Sequence, residues 1–322
     1  MRRSLVLAAA IVLAACGGSN ETAAPAPSDT VVPVTFPDAP AAPAGPNDEA
    51  TARFDEILET IPGGLFDVRD VREFVDVGDT RHAWLLTDLL RFLRDENGVD
   101  VTVEGFATLT GVDVADDPAG PWNAATNLLI AWDTPAPPDY QRLKGELFAL
   151  VEPGWEPFFA DEDADIDWRW LSWGGVFIDD RPLGDPNPCA TPGCIPALDD
   201  PALVTAAEGG WYPDDAIVFG VTEGDESVAF PKNVMQVHEM VNITIGDRRF
   251  GIPYCTLCGS AQAFYTDEVP EEFDTPVLRT SGLLSRSNKV MYDLATESVF
   301  DTFTGEAVTG PLQDAGVVLE QN

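Results

Sequence analysis

The sequence predicts an α+β fold, with an N-terminal, mostly α-helical region over residues 49–171 and a β-rich, mainly antiparallel domain over residues 172–322. Two patterns support this division. Up to about Asp167, apolar residues recur at the three- and four-residue spacing that gathers them on one helix face. From about Ser172 the apolar runs become short and rich in β-branched and aromatic residues. Turns containing glycine and aspartate separate them, as expected for hairpins. The 322 residues, 45% of them hydrophobic, suffice for one large or two medium domains with a real core.

Ahead of these regions, residues 1–15 read as a lipoprotein signal peptide. Arg2 and Arg3 give a positive start, and the apolar run from Leu5 to Ala15 is too short to span a bilayer. The run ends in Leu13-Ala14-Ala15-Cys16-Gly17, which resembles the bacterial lipobox: small residues admit the peptidase, and the cysteine thiol receives the lipid. Cys16 is therefore expected to be the lipidated mature N-terminus, in preference to an incidental cysteine in an ordinary signal peptide. Residues 16–48, with Ala24-Pro25-Ala26-Pro27 and Ala39-Pro40-Ala41-Ala42-Pro43-Ala44, form a Pro/Ala-rich linker with the composition of a semi-rigid spacer. No later segment is long and apolar enough to span a membrane. The expectation is an exported, extracytoplasmic protein, held at the cell membrane or outer membrane through its N-terminal lipid alone. Asp and Glu number 55 against 18 Lys and Arg, a formal net charge of −37. Such a chain is repelled by nucleic acid and by anionic membrane surfaces. The acids are spread along the whole chain, which reads as a solubilising surface rather than a cation-recruiting site.

In the helical region, Phe54, Ile57, Leu58 and Ile61 mark a first helix, ended by Pro62-Gly63-Gly64. Trp84, Leu85, Leu86, Leu89, Leu90 and Leu93 mark a second, stopping near Asn97-Gly98. Val101–Leu109 leans to helix; Trp122–Trp132 and Tyr140–Val151 follow. His82, at the start of the second helix, reads as a surface or capping residue. Trp168, Trp170 and Trp173 read as a packed seam between the two regions rather than a ligand platform. Strands are expected at 176–178, 217–221, 227–230, 243–245, 249–254, 261–265, 277–280, 290–293, 298–303 and near Val317, with a helix over 232–241. Glu223-Gly224-Asp225 and Ile245-Gly246-Asp247 suit hairpin turns.

The residues able to carry chemistry cluster in the β-rich half. The chain has five cysteines and two histidines. Cys189 and Cys194 lie in a proline-dense loop, where in an oxidising compartment a local disulfide is the natural reading, ahead of metal ligation. Cys255-Thr256-Leu257-Cys258-Gly259 has the form of a tight knuckle, in which Gly259 supplies an unusual backbone angle and both sulfurs point to one centre. Thiolates favour Cu(I), zinc or an iron–sulfur centre. Two sulfurs are too few for a tetrahedral site, so His238 is the best third ligand and the expected ion is copper or zinc. Glu239 would be a carboxylate ligand or, with Asn242, orient the ligands. The same spacing also makes a thiol–disulfide couple, or a purely structural pair.

Several blocks also resemble the exported bacterial family DUF3179, a domain of unknown function. They are Ile195-Pro196-Ala197-Leu198, Ala229-Phe230-Pro231, His238-Glu239-Met240-Val241-Asn242 and Tyr254-Cys255-Thr256-Leu257-Cys258-Gly259. Ser281-Gly282-Leu283-Leu284 with Asn288, then Met291-Tyr292-Asp293, Thr296, Ser298, Thr304-Gly305-Glu306-Ala307 and Gly310-Pro311-Leu312 complete the set. The resemblance spans about Asp179 to Leu319. It implies that His238, Cys255 and Cys258 belong to one functional unit, and it supplies no reaction. The family's usual proline is Thr256 here, so a less rigid knuckle is expected. Its usual aspartate and tryptophan are replaced by Ile243 and Phe300, neither of them a proposed ligand.

The reading that follows is a cell-envelope lipoprotein with a Cys/Cys/His metal-binding or thiol-redox site, served by an envelope protein or redox partner. Ser281, Asn288, Tyr292 and Asp293 are candidate pocket residues, with turn stabilisation as the competing role for each. The competing reading for the whole is a non-catalytic binding or scaffold module with structural cysteines. A hydrolase finds little support: His238-Glu239 lacks the second histidine of a metalloprotease helix, and no Gly-x-Ser-x-Gly elbow occurs.

Overall fold

The structure, a computed structural model, describes residues 35–63 and 66–322. The signal peptide, Cys16 and the linker up to residue 34 lie outside the described residues. The first half is helical: α1 (Asp48–Thr60), α2 (Val68–Val77), α3 (Ala83–Phe92), α4 (Glu96–Thr110), α5 (Pro121–Ala131), α6 (Tyr140–Val151) and α7 (Glu156–Ala160). Side-chain caps fix several starts by satisfying amides that have no partner within the helix. Asn47 Oδ1 accepts the Ala50 N–H at 3.2 Å, and Asp95 Oδ1 accepts the Gly98 N–H at 2.7 Å. The second cap explains a departure from the sequence expectation. Asn97-Gly98 does not stop a helix; it lies in the first turn of α4, held there by Asp95. α2 has no counterpart among the elements read from sequence, although Val71, Phe74 and Val75 bury its inner face. His82 is a capping residue as expected, but it is buried rather than at the surface: its Nδ1 accepts the Asp79 N–H at 3.1 Å in a reciprocal capping box.

The second half begins at β1 (Leu171–Trp173) and β2 (Leu198–Asp199), followed by the hairpin β3 (Val218–Glu223) and β4 (Glu226–Pro231). Then come α8 (Lys232–His238), β5 (Met240–Ile245), β6 (Arg248–Cys255), β7 (Ser260–Ala261) and β8 (Phe264–Tyr265). The chain closes with β9 (Leu278–Ser285), β10 (Asn288–Asp293), β11 (Val299–Asp301) and α9 (Gly310–Asp314). One antiparallel sheet has the order β1-β9-β10-β11. In a second, β5 and β6 are antiparallel, β2 joins β5 in parallel, and β7 and β8 both pair with β6. Four sequence expectations differ. Near Val317 the chain makes single bridges, Val318 to Glu306 and Gln321 to Phe264, instead of a strand. Residues 176–178 make a single bridge, Phe177 to Cys194, instead of a strand. The run 261–265 divides into β7 and β8. The helix over 232–241 stops at His238, because Glu239 turns left-handed at φ 53° and Met240 starts β5.

Residues Asp38–Asn322 form one compact unit, and the helical and β-rich halves share apolar core. Phe148, Trp155, Phe158 and Phe159 pack with Leu171, Leu283, Val290, Tyr292 and Val299. Trp168 stacks on Phe159 with ring centroids 4.8 Å apart, and Trp173 on Phe92 at 5.5 Å. These tryptophans therefore form the expected seam. Beneath it, buried Lys144 pairs with Asp88 at 2.9 Å and donates to the carbonyls of Trp168 and Leu171. A buried ion pair is tolerated where further hydrogen bonds satisfy it, as here. Among the described residues, no helix is long and apolar enough to cross a membrane.

Cys189 and Cys194 pair as a disulfide, with Cα atoms 6.3 Å apart. It closes a loop against Asp179, a fully buried carboxylate. The Asp179 oxygens accept from the Arg181 guanidinium at 2.6 and 2.9 Å and from the Ala197 N–H at 2.7 Å. Tyr292 donates to the Asp179 carbonyl at 2.7 Å. Two stability tests follow from this packing. Gly282 sits at φ 80°, and a Cβ there would collide with the Val176 carbonyl oxygen. Gly282→Ala is expected to lower unfolding free energy by about 3 kcal/mol in denaturant titration, combining left-handed strain with overpacking. Loss of the short-loop disulfide in Cys189→Ser/Cys194→Ser should cost about 2 kcal/mol in the same assay. A double variant as stable as the parent would show that the bond contributes nothing to the fold.

Candidate functional site

β6 ends at Cys255 and reverses through residues 256–259, so that Cys255 faces Ser260 on β7. Gly259 makes the reversal possible: it adopts φ 65°, and its N–H donates to the Cys255 carbonyl at 2.8 Å. The turn brings the two sulfurs to 3.1 Å. Both are free thiols, yet they face different surroundings. Cys255 is buried, with 2% exposure, whereas Cys258 is exposed. The Cys258 sulfur points back onto the pair and donates to the Ser287 carbonyl at 2.8 Å. Ser287 belongs to the turn between β9 and β10, where Arg286 and Ser287 are both left-handed at φ 50° and 68°. That conformation is costly for residues with a Cβ. The turn is pinned from outside, with the Arg286 N–H on the Trp170 carbonyl and its guanidinium 4.0 Å from the Trp170 ring.

A buried lysine completes the surroundings. Lys289, the second residue of β10, is 3% exposed. Its Nζ donates to the Glu239 carbonyl at 2.8 Å and to Thr280 Oγ1 at 3.0 Å, and it lies 3.7 Å from the Glu239 carboxylate. The same Glu239 carbonyl accepts the N–H of Tyr254, the residue before Cys255, at 2.9 Å. The ammonium is thereby fixed at the base of the knuckle. Burial pushes Lys289 down to about 8, against the charges of Glu239, Cys255 and Asp179 and the hydrogen bond to Glu239. Partial burial of its sulfur, then the hydrogen bond and charge of Cys255, then the charge of Glu239, push the Cys258 thiol up to about 12.

The other residues singled out from sequence divide between this site and the scaffold. His238 is the last residue of α8, and its Nδ1 lies 2.8 Å from the Pro196 carbonyl. A carbonyl only accepts, so that nitrogen carries the proton. His238, Cys255 and Cys258 do not each bring a ligand atom within 4.8 Å of the others. Among the described residues, the set that does so is Asp179, Cys189 and Cys194. In that set the sulfurs are already joined and the carboxylate already serves Arg181. Asn242 faces the scaffold: its amide donates to Asp199 and to the Leu278 carbonyl, and its oxygen accepts the Leu278 N–H, tying β5 to β9. Ser281 donates to the Val290 carbonyl, Tyr292 to that of Asp179, and Asp293 accepts from Val277 and Thr296. Asn288 stays beside the knuckle, its Oδ1 3.4 Å from Ser260 Oγ. Lys289 and Ser287 were not among the residues read from sequence. A lysine beside the apolar run Val290-Met291-Tyr292, in a strand buried along its whole length, is the signal that could have found the first.

No curated protein and no solved structure matches the chain. Residues 192–321 match the profile of DUF3179, described as a protein of unknown function. The match contains α8, the knuckle, Lys289 and the turn that receives the Cys258 thiol; Asp179 and Cys189 precede it. On that match, the β-rich half of the chain carries a DUF3179 domain.

Proposed function

We propose that the protein is an exported, lipid-anchored thiol–disulfide exchange protein whose working couple is Cys255 and Cys258. The observation that carries this reading is the pair of free thiols 3.1 Å apart, one enclosed and one open. Closing them to a bond of about 2.0 Å needs only a small rotation of the side chains. In the oxidised form an incoming partner dithiol reaches Cys258, the exposed sulfur. A partner thiolate attacks Cys258 Sγ, the bond to Cys255 breaks, and Cys255 leaves with the electron pair as a thiolate. The partner's second thiol then gives up its proton and attacks the partner's own sulfur in the mixed disulfide. Cys258 departs with that electron pair and takes up a proton, and Cys255 is protonated from solvent or remains a thiolate. Two electrons pass from the partner's dithiol to the chain's disulfide, and the partner becomes oxidised. A Cys258 thiol held near 12 resists attacking outward in the reduced form, so the exposed sulfur serves as the electrophile of the oxidised one. Export into an oxidising compartment, supported by the lipobox-like leader, fits such a couple.

Two measurements test the reading. Titration of the full chain with reduced and oxidised glutathione should give a reversible two-electron transition. Peptide mapping should place the new bond between Cys255 and Cys258, and Cys255→Ser or Cys258→Ser should abolish it. Thiols that never pair, or stoichiometric copper or zinc retained by His238, Cys255 and Cys258 in anaerobically purified protein, would replace it with a scaffold or a metal reading. For the anchor, Cys16→Ser is expected to release the protein from the membrane fraction or leave the precursor uncleaved. Unchanged processing and membrane association would exclude lipidation at that residue.

A further inference from the structure

Glu239 occupies a backbone conformation that favours glycine, at φ 53°, where α8 meets β5. Strain of this kind persists where the residue's side chain is needed in place. Here the bend does two things. It turns the Glu239 carbonyl onto both the Tyr254 N–H and Lys289 Nζ, and it leaves the carboxylate 3.7 Å from the same ammonium. Lys289 has three N–H donors. Two are used at 2.8 and 3.0 Å by the Glu239 carbonyl and Thr280, which leaves one for the carboxylate. The charged or titratable groups facing Lys289 are Glu239, from the α8–β5 junction, Cys255, from β6, and Asp179, from the loop after β1. The Glu239 charge also reaches Cys258. One cation and one anion are thus tied to the strand that ends in Cys255, through the Glu239 carbonyl that also holds the Tyr254 N–H.

We propose that Lys289 and Glu239 are positioning residues that set the redox equilibrium of the Cys255–Cys258 couple by opposite electrostatic effects on the Cys255 thiolate. The inference rests on the thiol–disulfide reading given above. When the disulfide opens, the electron pair arrives on a buried sulfur. A buried thiolate needs a nearby positive charge, and Lys289 supplies it without solvent. Glu239 tempers that charge and keeps the lysine in place. Removing the ammonium therefore destabilises the reduced form and favours the disulfide, whereas removing the carboxylate does the reverse. A lysine that merely tied β10 to the α8–β5 junction would affect folding and leave the equilibrium where it was.

The experiment is the equilibrium constant of the couple against glutathione near neutral pH, measured on the full chain. Lys289→Met is expected to shift it about ten-fold toward the disulfide, and Glu239→Gln about ten-fold toward the dithiol. Lys289→Arg should stay close to the parent. Glu239→Gly guards against a folding artefact: it removes the carboxylate and also relieves the left-handed strain. Its melting temperature should equal or exceed the parent's while its equilibrium shifts as in Glu239→Gln. Absence of any reversible couple in the parent protein would defeat the exchange reading itself. A normal couple in the parent, with the methionine and glutamine variants unmoved or moved in the same direction, would overturn this inference alone.

Discussion

A carboxylate shut away from water keeps its charge only where fixed donors take the water's place. Asp179 is in that position, and much of the β-rich half is arranged around it. Arg181, the Ala197 amide and the disulfide loop close on its side chain, while Tyr292 closes on its carbonyl. Arg279, fully buried, lies 3.8 Å from Asp179 and grips Asp199 with two hydrogen bonds of 2.8 Å. Burial alone would raise Asp199, but the hydrogen bonds from Arg279, Gly184 and Asn242, with the Arg279 charge, hold it below the usual carboxylate range. Asn242 then joins Asp199 to β9. The network fixes β2, β5 and β9 relative to one another, and with them the junction that presents Glu239.

The candidate site is a continuation of the same logic toward the surface. Polar groups deep in the sheet are paired by hydrogen bonds between strands, as Asn242 shows. Near the edge the pairing becomes looser and chemically useful. Lys289 has a partner at 3.7 Å instead of a tight ion pair, Cys255 has a sulfur neighbour, and Cys258 shares its proton with a carbonyl on a strained turn. Lys289 and Cys255 are both buried and Cys258 is exposed, so charge is stabilised inside and contact with another molecule is made outside.

Local patterns were legible in the sequence, and arrangements across the chain were not. The apolar spacing in Trp84–Leu90 and in Leu143–Phe148 announces helices because one face repeats without interruption. The hairpin of β5 and β6 is announced by Ile245-Gly246-Asp247 for the same reason: strand pattern and turn chemistry agree. The acid-rich α2 offers only Val71, Phe74 and Val75 on its inner face, too few to stand out. At Asn97-Gly98 a typical stop pair is overridden by the Asp95 cap. The knuckle could be read because its spacing is contained within five consecutive residues, Cys255–Gly259. The lysine beneath it could not, since what Lys289 touches is decided by the pairing of β9 with β10 and by the bend at Glu239. The histidine shows the converse: it is near the knuckle in sequence, yet its ring is engaged by Pro196, 42 residues upstream.

Trp155 hydrogen-bonds the Ser281 carbonyl across 126 residues of chain, Asp161 receives the Gly310 amide across 149, and Gln313 reaches Asp163 across 150. Contacts so far apart in sequence set the timetable of assembly. The aromatic face of α6 and α7 acquires its cover only when the chain from β9 to the C-terminal end has arrived. Until then Phe148, Trp155, Phe158 and Phe159 present open apolar surface, and a growing chain carries that surface with it. Closure at the C-terminal end is then the late event that converts a sticky intermediate into a single cooperative body.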